Sequence, residues 1–333
     1  MSQGHTPSPA RVHTSSEPSS SVCPLGCQLG CRAPNQSTSA ESAPASIIDA
    51  VADATERPSS DWGEVPAVLH EATSVRQQLH SPDPAEGSPA STDLEDATTA
   101  FGSNEVVARC IRMADLWTLI AVDHLGAMGT LLDSWAGVFP LFPLARSAIE
   151  HAAWTCWVLD PTAETKERCI RAALAEVRSA EEMLKVANRW GGKQHEVYRR
   201  ALQERDRVVR SVEETFSEYD PVSKTIAGQA SARPSEVVEH LGTTPENKKE
   251  WLGIYDHLCA TANHPSLSAF EFFDFEDGRT FESVTPDYVE RLLRSAVSPV
   301  VRSLEHLARY MGWNRDPLNT YVDLVNSTLG DQG

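Results

Sequence analysis

The sequence predicts an all-α fold, a multi-helix bundle with a possible short β-hairpin, preceded by a disordered N-terminal tail. From about residue 103 onward, Leu, Ile, Val and Trp recur at helical spacing over a length sufficient for one sizeable core. Residues 1–100 instead combine Pro, Ser, Ala and acidic residues, with too few large aliphatic side chains to offset chain entropy. We therefore expect a disordered tail over residues 1–100 and a helical bundle domain over residues 101–330.

Capping residues followed by proline mark several helix starts, as at Thr244-Pro245, Thr285-Pro286 and Asp316-Pro317. Together with the apolar spacing they predict helices near residues 103–134, 140–159, 163–189, 194–217, 235–241, 246–262, 286–311 and 317–328. Gly191-Gly192 predicts a break between two long charged helices. The stretch "FEFFDFEDGRTFESV" predicts a hairpin around Asp277-Gly278, with Phe270, Phe272, Phe275 and Phe281 in its strands.

The net charge of −18 divides evenly between residues 1–100 and the rest of the chain. Both parts would be repelled by a polyanion, which argues against general nucleic-acid binding and against acidic membranes. A local exception lies between Lys185 and Arg210, with eight basic and three acidic residues. This stretch is either a solvated charged face or an anion-binding surface.

The first residues lack the basic and apolar regions of a secretory signal, and no apolar run reaches the roughly 18 to 20 residues of a spanning helix. We therefore expect a cytoplasmic protein whose seven cysteines are mostly reduced. Cys23, Cys27 and Cys31 are spaced by four, whereas a zinc site needs four ligands in a recognisable spacing. We interpret them as incidental thiols, with metal binding, or translation that begins downstream, as the alternatives.

The helix "LFPLARSAIEHAAWTCWVLDP" is the most apolar of the predicted elements, yet it contains Arg146 and Glu150. At 100° per residue, Arg146 and Glu150 fall inside the apolar sector beside Trp154 and Trp157. An Arg and a Glu at positions i and i+4 can pair, and an unpaired buried charge is costly. We therefore expect a buried Arg146–Glu150 ion pair that is flanked by the two tryptophans and lies centrally in the bundle.

The same helix contains Arg146 and His151 in the pattern R-x4-H, which resembles the motif of HEPN ribonucleases from toxin and phage-defence systems. The resemblance implies metal-independent RNA cleavage at a dimer interface, with Arg146 and His151 as the catalytic residues. On a straight helix these two side chains point about 140° apart, so they would share a site only near a distorted end or across protomers.

A broader resemblance covers roughly residues 103–312. Arg146, Glu150, Trp157 and the ending Leu159-Asp160-Pro161 resemble the signature helix of a group of uncharacterised, all-helical bacterial proteins. In that group a later Tyr-bearing helix ends in a His-bearing loop, matched here by Tyr255 and by "TANHPS" with Asn263 and His264. The group has no established activity to transfer. Because buried charges beside aromatic side chains are where ligands are often held, we take as candidate binding residues Glu150, Trp154, Trp157, Tyr255, Asn263 and His264. The chain departs from the pattern at Cys259 and in the position of His264.

Other chemistries lack their motifs. The sequence contains no G-x-G-x-x-G, no P-loop and no G-x-S-x-G. Di-iron centres in helical bundles use Glu-x-x-His, whose two side chains share one helix face. In this chain several acidic residues stand directly before a His, as in Glu150-His151. Adjacent residues on a helix point 100° apart, so such a pair does not present both groups to one metal. We expect neither a cofactor nor a metal. Two functions remain: a non-enzymatic helical protein that acts through a protein partner or by homodimerisation, and a HEPN-like nuclease acting on RNA.

Overall fold

The computed structural model describes residues 62–81, 83–134, 138–263, 273–276, 279–282 and 285–330, the strands at 273–276 and 279–282 through their backbone alone. Ten helices lie in this part of the chain: α1 Val65–Leu79, α2 Pro89–Phe101, α3 Glu105–Ser134, α4 Leu141–Val158, α5 Thr165–Gly191, α6 Glu196–Thr215, α7 Pro234–Glu239, α8 Pro245–Asn263, α9 Pro286–Met311 and α10 Asp316–Leu329. The strands are β1 Tyr219–Asp220, β2 Thr225–Ile226, β3 Gln229–Ala230, β4 Phe273–Glu276 and β5 Arg279–Glu282. No helix in the described ranges is both long and apolar enough to span a membrane.

The predicted all-α class is confirmed. Each of the eight predicted helices is present, with ends within two residues of the predicted ones. Strands β4 and β5 pair antiparallel, with Phe273 opposite Glu282, so the predicted hairpin is also present. The turn residues Asp277 and Gly278, and the predicted strand residues Phe270 and Phe272, lie outside the described residues.

The predicted boundary between tail and domain is wrong, because α1 and α2 both lie before residue 102. Val68, Leu69 and Ala72 of α1 are fully buried, and α1 packs along α3. Helix α2 is capped by Ser88, whose hydroxyl accepts a hydrogen bond from the Ser91 N–H at 3.2 Å. The prediction of a disordered tail used the average composition of residues 1–100, which does not reveal two short amphipathic helices within it. The N-terminal residues 1–61, including the three predicted incidental thiols Cys23, Cys27 and Cys31, lie outside the described residues.

Helix α4 lies centrally, as predicted for it. It packs against α3 and α9 over most of its length, and against α5, α7 and α8. Small side chains such as Ala145, Ala148 and Ala152 are fully buried in it. The Thr155 hydroxyl donates to the Ala114 carbonyl at 3.1 Å, which joins α4 to α3 inside the core. The residues of α4 are therefore positioned by several other helices at once.

Helices α5 and α6 form an antiparallel pair whose inner face, with Phe216 and Ile226, makes a second cluster of buried residues. Strands β1, β2 and β3 form a small antiparallel sheet at the end of α6. The β2–β3 turn is Ala227-Gly228, with φ of 50° and 79°. Two positive φ values are typical of a type I′ hairpin turn. Since Ala replaces the usual Asn or Asp there, the sequence did not predict this sheet.

Candidate functional site

Two charged residues of α4, Arg146 and Glu150, meet Tyr255 of α8. The Tyr255 hydroxyl donates to Glu150 Oε2 at 2.8 Å. The guanidinium carbon of Arg146 lies 5.8 Å from the centroid of the Tyr255 ring, within the range of a cation–π contact. Tyr255 is itself 5 % exposed, so α8 places one buried phenol between two charges from α4. We call Arg146, Glu150 and Tyr255 the α4–α8 cluster.

The predicted buried ion pair is therefore wrong in two respects. Both Arg146 and Glu150 are half-buried, and no direct salt bridge joins them among the described residues. The Arg146 Nε is buried without a hydrogen-bond partner in the same part of the chain. The two charges are bridged by Tyr255, which a helical wheel of α4 alone does not contain.

The surroundings of Arg146 and Tyr255 favour a charged guanidinium and a neutral phenol. Burial opposes the charge of Arg146, but Tyr255, Cys259 and Glu150 outweigh it and raise the pKa of the guanidinium. Burial, together with the neighbouring Glu150 carboxylate, raises the pKa of Tyr255. Burial also raises the pKa of the Cys259 thiol, although Arg146 opposes this. These shifts keep the Arg146 guanidinium charged and the Tyr255 phenol and Cys259 thiol protonated near neutral pH.

A cleft of about 190 Å³ opens next to Glu150. Trp117 and Trp154, each less than one tenth exposed, form one wall with ring centroids 5.6 Å apart. Glu150 and His151 of α4 reach the cleft from the same side of the bundle. Arg178 and Glu182 of α5 line it too, which gives it both signs of charge. Its volume is below the roughly 300 Å³ at which ligand pockets usually begin.

His151 is held by Ser147. The His151 Nδ1 lies 2.8 Å from the Ser147 carbonyl oxygen, which only accepts, so Nδ1 carries the proton and donates it. The Ser147 hydroxyl is also 2.8 Å from His124 Nε2 on α3. Burial, with a contribution from His151, lowers the pKa of His124. This arrangement explains the position of His151 through local hydrogen bonds within the bundle.

Arg146 and His151, the predicted catalytic pair, lie on different sides of α4. Arg146 faces Tyr255 on α8, whereas His151 faces His124 on α3, where their ring centroids are 6.2 Å apart. Across the described ranges no hydrogen bond joins Arg146 to His151. Within one chain the structure therefore does not bring the pair together.

The Leu-Asp-Pro ending of α4 forms a separate polar network. Asp160 accepts from the Thr162 N–H at 2.9 Å and from its hydroxyl at 2.7 Å. It also lies 3.6 Å from Arg171 and 3.2 Å from His240, which belong to α5 and to the end of α7. Burial opposes the Asp160 charge, but the Thr162 hydrogen bonds and the two neighbouring bases lower its pKa. This network joins α4 to α5 and α7.

The remaining predicted binding residues are dispersed. Trp154 is buried between Trp117 and Trp157, and Trp157 is half-buried under the Arg171 guanidinium, 5.0 Å from its ring centroid. Asn263 is exposed at the last residue of α8. His264 lies outside the described residues. The predicted binding residues thus fall into two separate places. Glu150 and Tyr255 contact each other, whereas Trp154 and Trp157 pack together next to the Asp160 network.

No group of three or more His, Cys, Asp or Glu residues in the described ranges is arranged to hold a metal ion. Comparison of the chain with protein-family models, with curated proteins and with solved structures finds no match.

A second candidate surface lies at the turn between α5 and α6. Three apolar side chains of α5 point into solvent: Trp190 is 79 % exposed, Met183 59 % and Val186 52 %. Val197, at the start of α6, is 38 % exposed. We call these four residues the hairpin tip. Sequence analysis identified the basic residues around them but missed the apolar ones, although their spacing was visible.

Proposed function

We propose that this chain is a non-enzymatic helical protein that acts by binding an acidic protein partner through the hairpin tip. The main observation in favour of this proposal is the exposure of Trp190, which is the most accessible aromatic side chain among the described large hydrophobic residues. We place this function in the cytoplasm because the described cysteines are free thiols.

The apolar residues of the hairpin tip share one helix face. Met183, Val186 and Trp190 follow the spacing i, i+3, i+7, which confines them to an arc of about 60° on α5. Val197 extends this surface onto α6. Contiguous exposed apolar side chains of this kind are typical of protein interaction sites, and Trp is enriched among the residues that dominate binding energy.

The charges around the hairpin tip favour an acidic partner. Between residues 182 and 200 there are five basic residues, Lys185, Arg189, Lys193, Arg199 and Arg200, against two acidic ones, Glu182 and Glu196, of which Glu182 pairs with Lys185 at 2.7 Å. Glu196 lies 2.6 Å from Arg199 and 3.0 Å from Arg200, so one carboxylate serves two guanidiniums. An excess of positive charge remains on a chain whose net charge is −18.

The same charges argue against a symmetric homodimer. A two-fold interface places the same patch of both subunits face to face, which here would oppose two basic tips. A polyanionic RNA would meet the basic tip favourably but would be repelled by the remainder of the chain. The aliphatic character of Met183, Val186 and Val197 also suits a protein pocket better than stacked bases.

A photo-crosslinking amino acid at position 194, an exposed site in the same turn that leaves Trp190 in place, tests this proposal in the cell that makes the protein. The expected product is an adduct with one acidic protein, absent when the crosslinker replaces Val222, which is 91 % exposed. The purified partner should bind the Trp190→Ser variant at least about tenfold more weakly than the parent chain. Adducts only with a second copy of the chain, only with RNA, or equally from both positions would refute the proposal.

A HEPN-like ribonuclease of a defence or toxin system is the second candidate, supported by the R-x4-H spacing and by the position of His151 at the cleft. It requires the partner protomer to complete each active site, because Arg146 and His151 lie on different sides of α4. Purified protein and an Arg146→Ala/His151→Ala double variant are incubated with RNA in EDTA. We expect no cleavage by either. Cleavage that only the double variant loses would establish the ribonuclease.

A further inference from the structure

A groove of about 490 Å³ runs between α1 and α10. Its volume lies within the range of about 300 to 1,000 Å³ that is typical of ligand sites. Apolar residues from both helices line it, namely Val68 and Val75 from α1, and Pro317 and Leu324 from α10. We call it the α1–α10 groove. None of the residues of the α4–α8 cluster or of the hairpin tip lines it.

Charged residues along the α1–α10 groove are all acidic. Glu64 and Glu71 line it, and no Lys, Arg or His is among its described lining residues. The two glutamates are seven residues apart, so they share one face of α1 and are separated by about 10 Å along its axis. Gln78 continues the same row seven residues later. The groove thus presents two negative charges at a fixed spacing, with apolar surface between them.

A buried hydroxyl belongs to the same groove. Tyr321 of α10 lines it and is 1 % exposed, yet its hydroxyl has no hydrogen-bond partner within the described residues. A buried hydroxyl without a partner is unfavourable, so the native structure gains if a ligand supplies one. Burial, with the neighbouring Glu71 carboxylate, raises the pKa of Tyr321, which keeps the phenol neutral and able to accept from a cationic N–H.

We propose that the α1–α10 groove binds a linear aliphatic diamine or polyamine. Two of its ammonium groups, about 10 Å apart, pair with Glu64 and Glu71. The intervening methylenes cover apolar lining residues such as Ala67 and Leu324. The Tyr321 hydroxyl provides a further acceptor within the groove. No step of this binding requires a metal or a covalent bond.

The ligand class follows from elimination among the chemistries that the groove offers. An anion would face two carboxylates without a base. A neutral chain would cover the apolar surface but would leave both carboxylates without a counter-charge. A cation with one charge would satisfy a single glutamate. A chain with two separated ammonium groups matches both the charge and its spacing.

Isothermal titration calorimetry with 1,8-diaminooctane tests the proposal directly. Three further probes separate its elements: 1,8-octanediol lacks the charges, octylamine has one, and 1,4-diaminobutane has two that are too close together. We expect the long diamine to bind at least about tenfold more tightly than each of the others, the equivalent of one charged hydrogen bond. Equal binding of the diol, or no heat from the long diamine at millimolar concentration, would overturn the proposal.

Variants then locate the site. Glu71→Gln should weaken the binding of 1,8-diaminooctane about tenfold or more. Asp323→Asn removes the same charge from an exposed position of α10 outside the groove lining, so it should change affinity less than about twofold. Tyr321→Phe should weaken binding without lowering the melting temperature of the unliganded protein, because it removes a hydroxyl that has no partner. Equal losses from Glu71→Gln and Asp323→Asn would show non-specific attraction and refute the site.

Discussion

Replacement of Asp93 by Ala should destabilise the protein more than any surface substitution, because Asp93 is the centre of a buried ion pair. Its carboxylate accepts from Arg168 Nε at 2.9 Å and from Arg168 Nη2 at 2.8 Å. The Thr165 and Tyr310 hydroxyls each donate to it at 2.7 Å. Asp93 is 4 % exposed and Arg168 8 %, so neither charge has ready access to water.

The magnitude follows from what the substitution leaves behind. Asp93→Ala removes four hydrogen bonds and strands the Arg168 guanidinium inside the protein. Breaking a buried pair by the removal of one partner typically costs about 3 to 5 kcal/mol. The total stability of a domain is only about 5 to 15 kcal/mol, so the substitution should remove a large share of it.

Urea denaturation of three variants measures this cost. Asp96→Ala, three residues along α2 and exposed, is the matched control and should lie within about 0.5 kcal/mol of the parent chain. The double variant Asp93→Leu/Arg168→Met strands no charge, so it should cost less than Asp93→Ala alone. If Asp93→Ala costs less than about 1 kcal/mol, or no more than Asp96→Ala, the pair is hydrated and the reasoning fails.

Three further predictions follow from the same structure. Glu150→Ala should lower the free energy of unfolding by only about 1 to 2 kcal/mol in urea denaturation, because it removes one half-exposed acceptor of Tyr255. A loss above about 3 kcal/mol would instead indicate a buried Arg146–Glu150 ion pair. Deletion of residues 1–101 should leave a chain without a cooperative thermal transition, since it removes both α1 and α2; a cooperative transition near that of the full chain would contradict this. Burial lowers the pKa of His306 to about 4, so the unfolded chain binds its proton more tightly and stability should fall as the pH drops from about 6.5 towards 4. His306→Gln should flatten that decline in urea denaturation at several pH values, and an unchanged slope would reject this attribution.

Helix positions were predictable because their end signals are local. At the start of α9, the Thr285 hydroxyl accepts from the Tyr288 N–H at 3.3 Å, and Pro286 occupies the first turn. At the end of α5, Gly192 has φ of 71°, a backbone conformation that favours glycine. Such signals need only the residues within one turn of the helix end, so the sequence contains them completely.

The position of α1 and α2 was not predictable from average composition. Helix α2 contains one Leu and one Phe among small and polar residues, with only Ala90, Asp93 and Ala97 buried. Its contribution to the core is therefore small in apolar area. Its contribution through Asp93 is large, but that residue gains its role only when Arg168 and Tyr310 lie beside it. A segment that is held by a few specific contacts resembles a disordered one in composition.

The buried charge was predicted on α4 but lies between α2 and α5, and the reason is geometric. A helical wheel shows which sector a side chain occupies, whereas its burial depends on what the neighbouring helices place above it. Arg146 and Glu150 occupy the apolar sector of α4, where the Tyr255 phenol of α8 contacts both and both stay half-buried. Arg168 lies on a charged helix, but α2 supplies its carboxylate from 75 residues away and α9 supplies a tyrosine. A buried charge is tolerated where several helices supply hydrogen-bonding or oppositely charged side chains around it. The apolar character of a single helix therefore does not predict where a buried charge will lie.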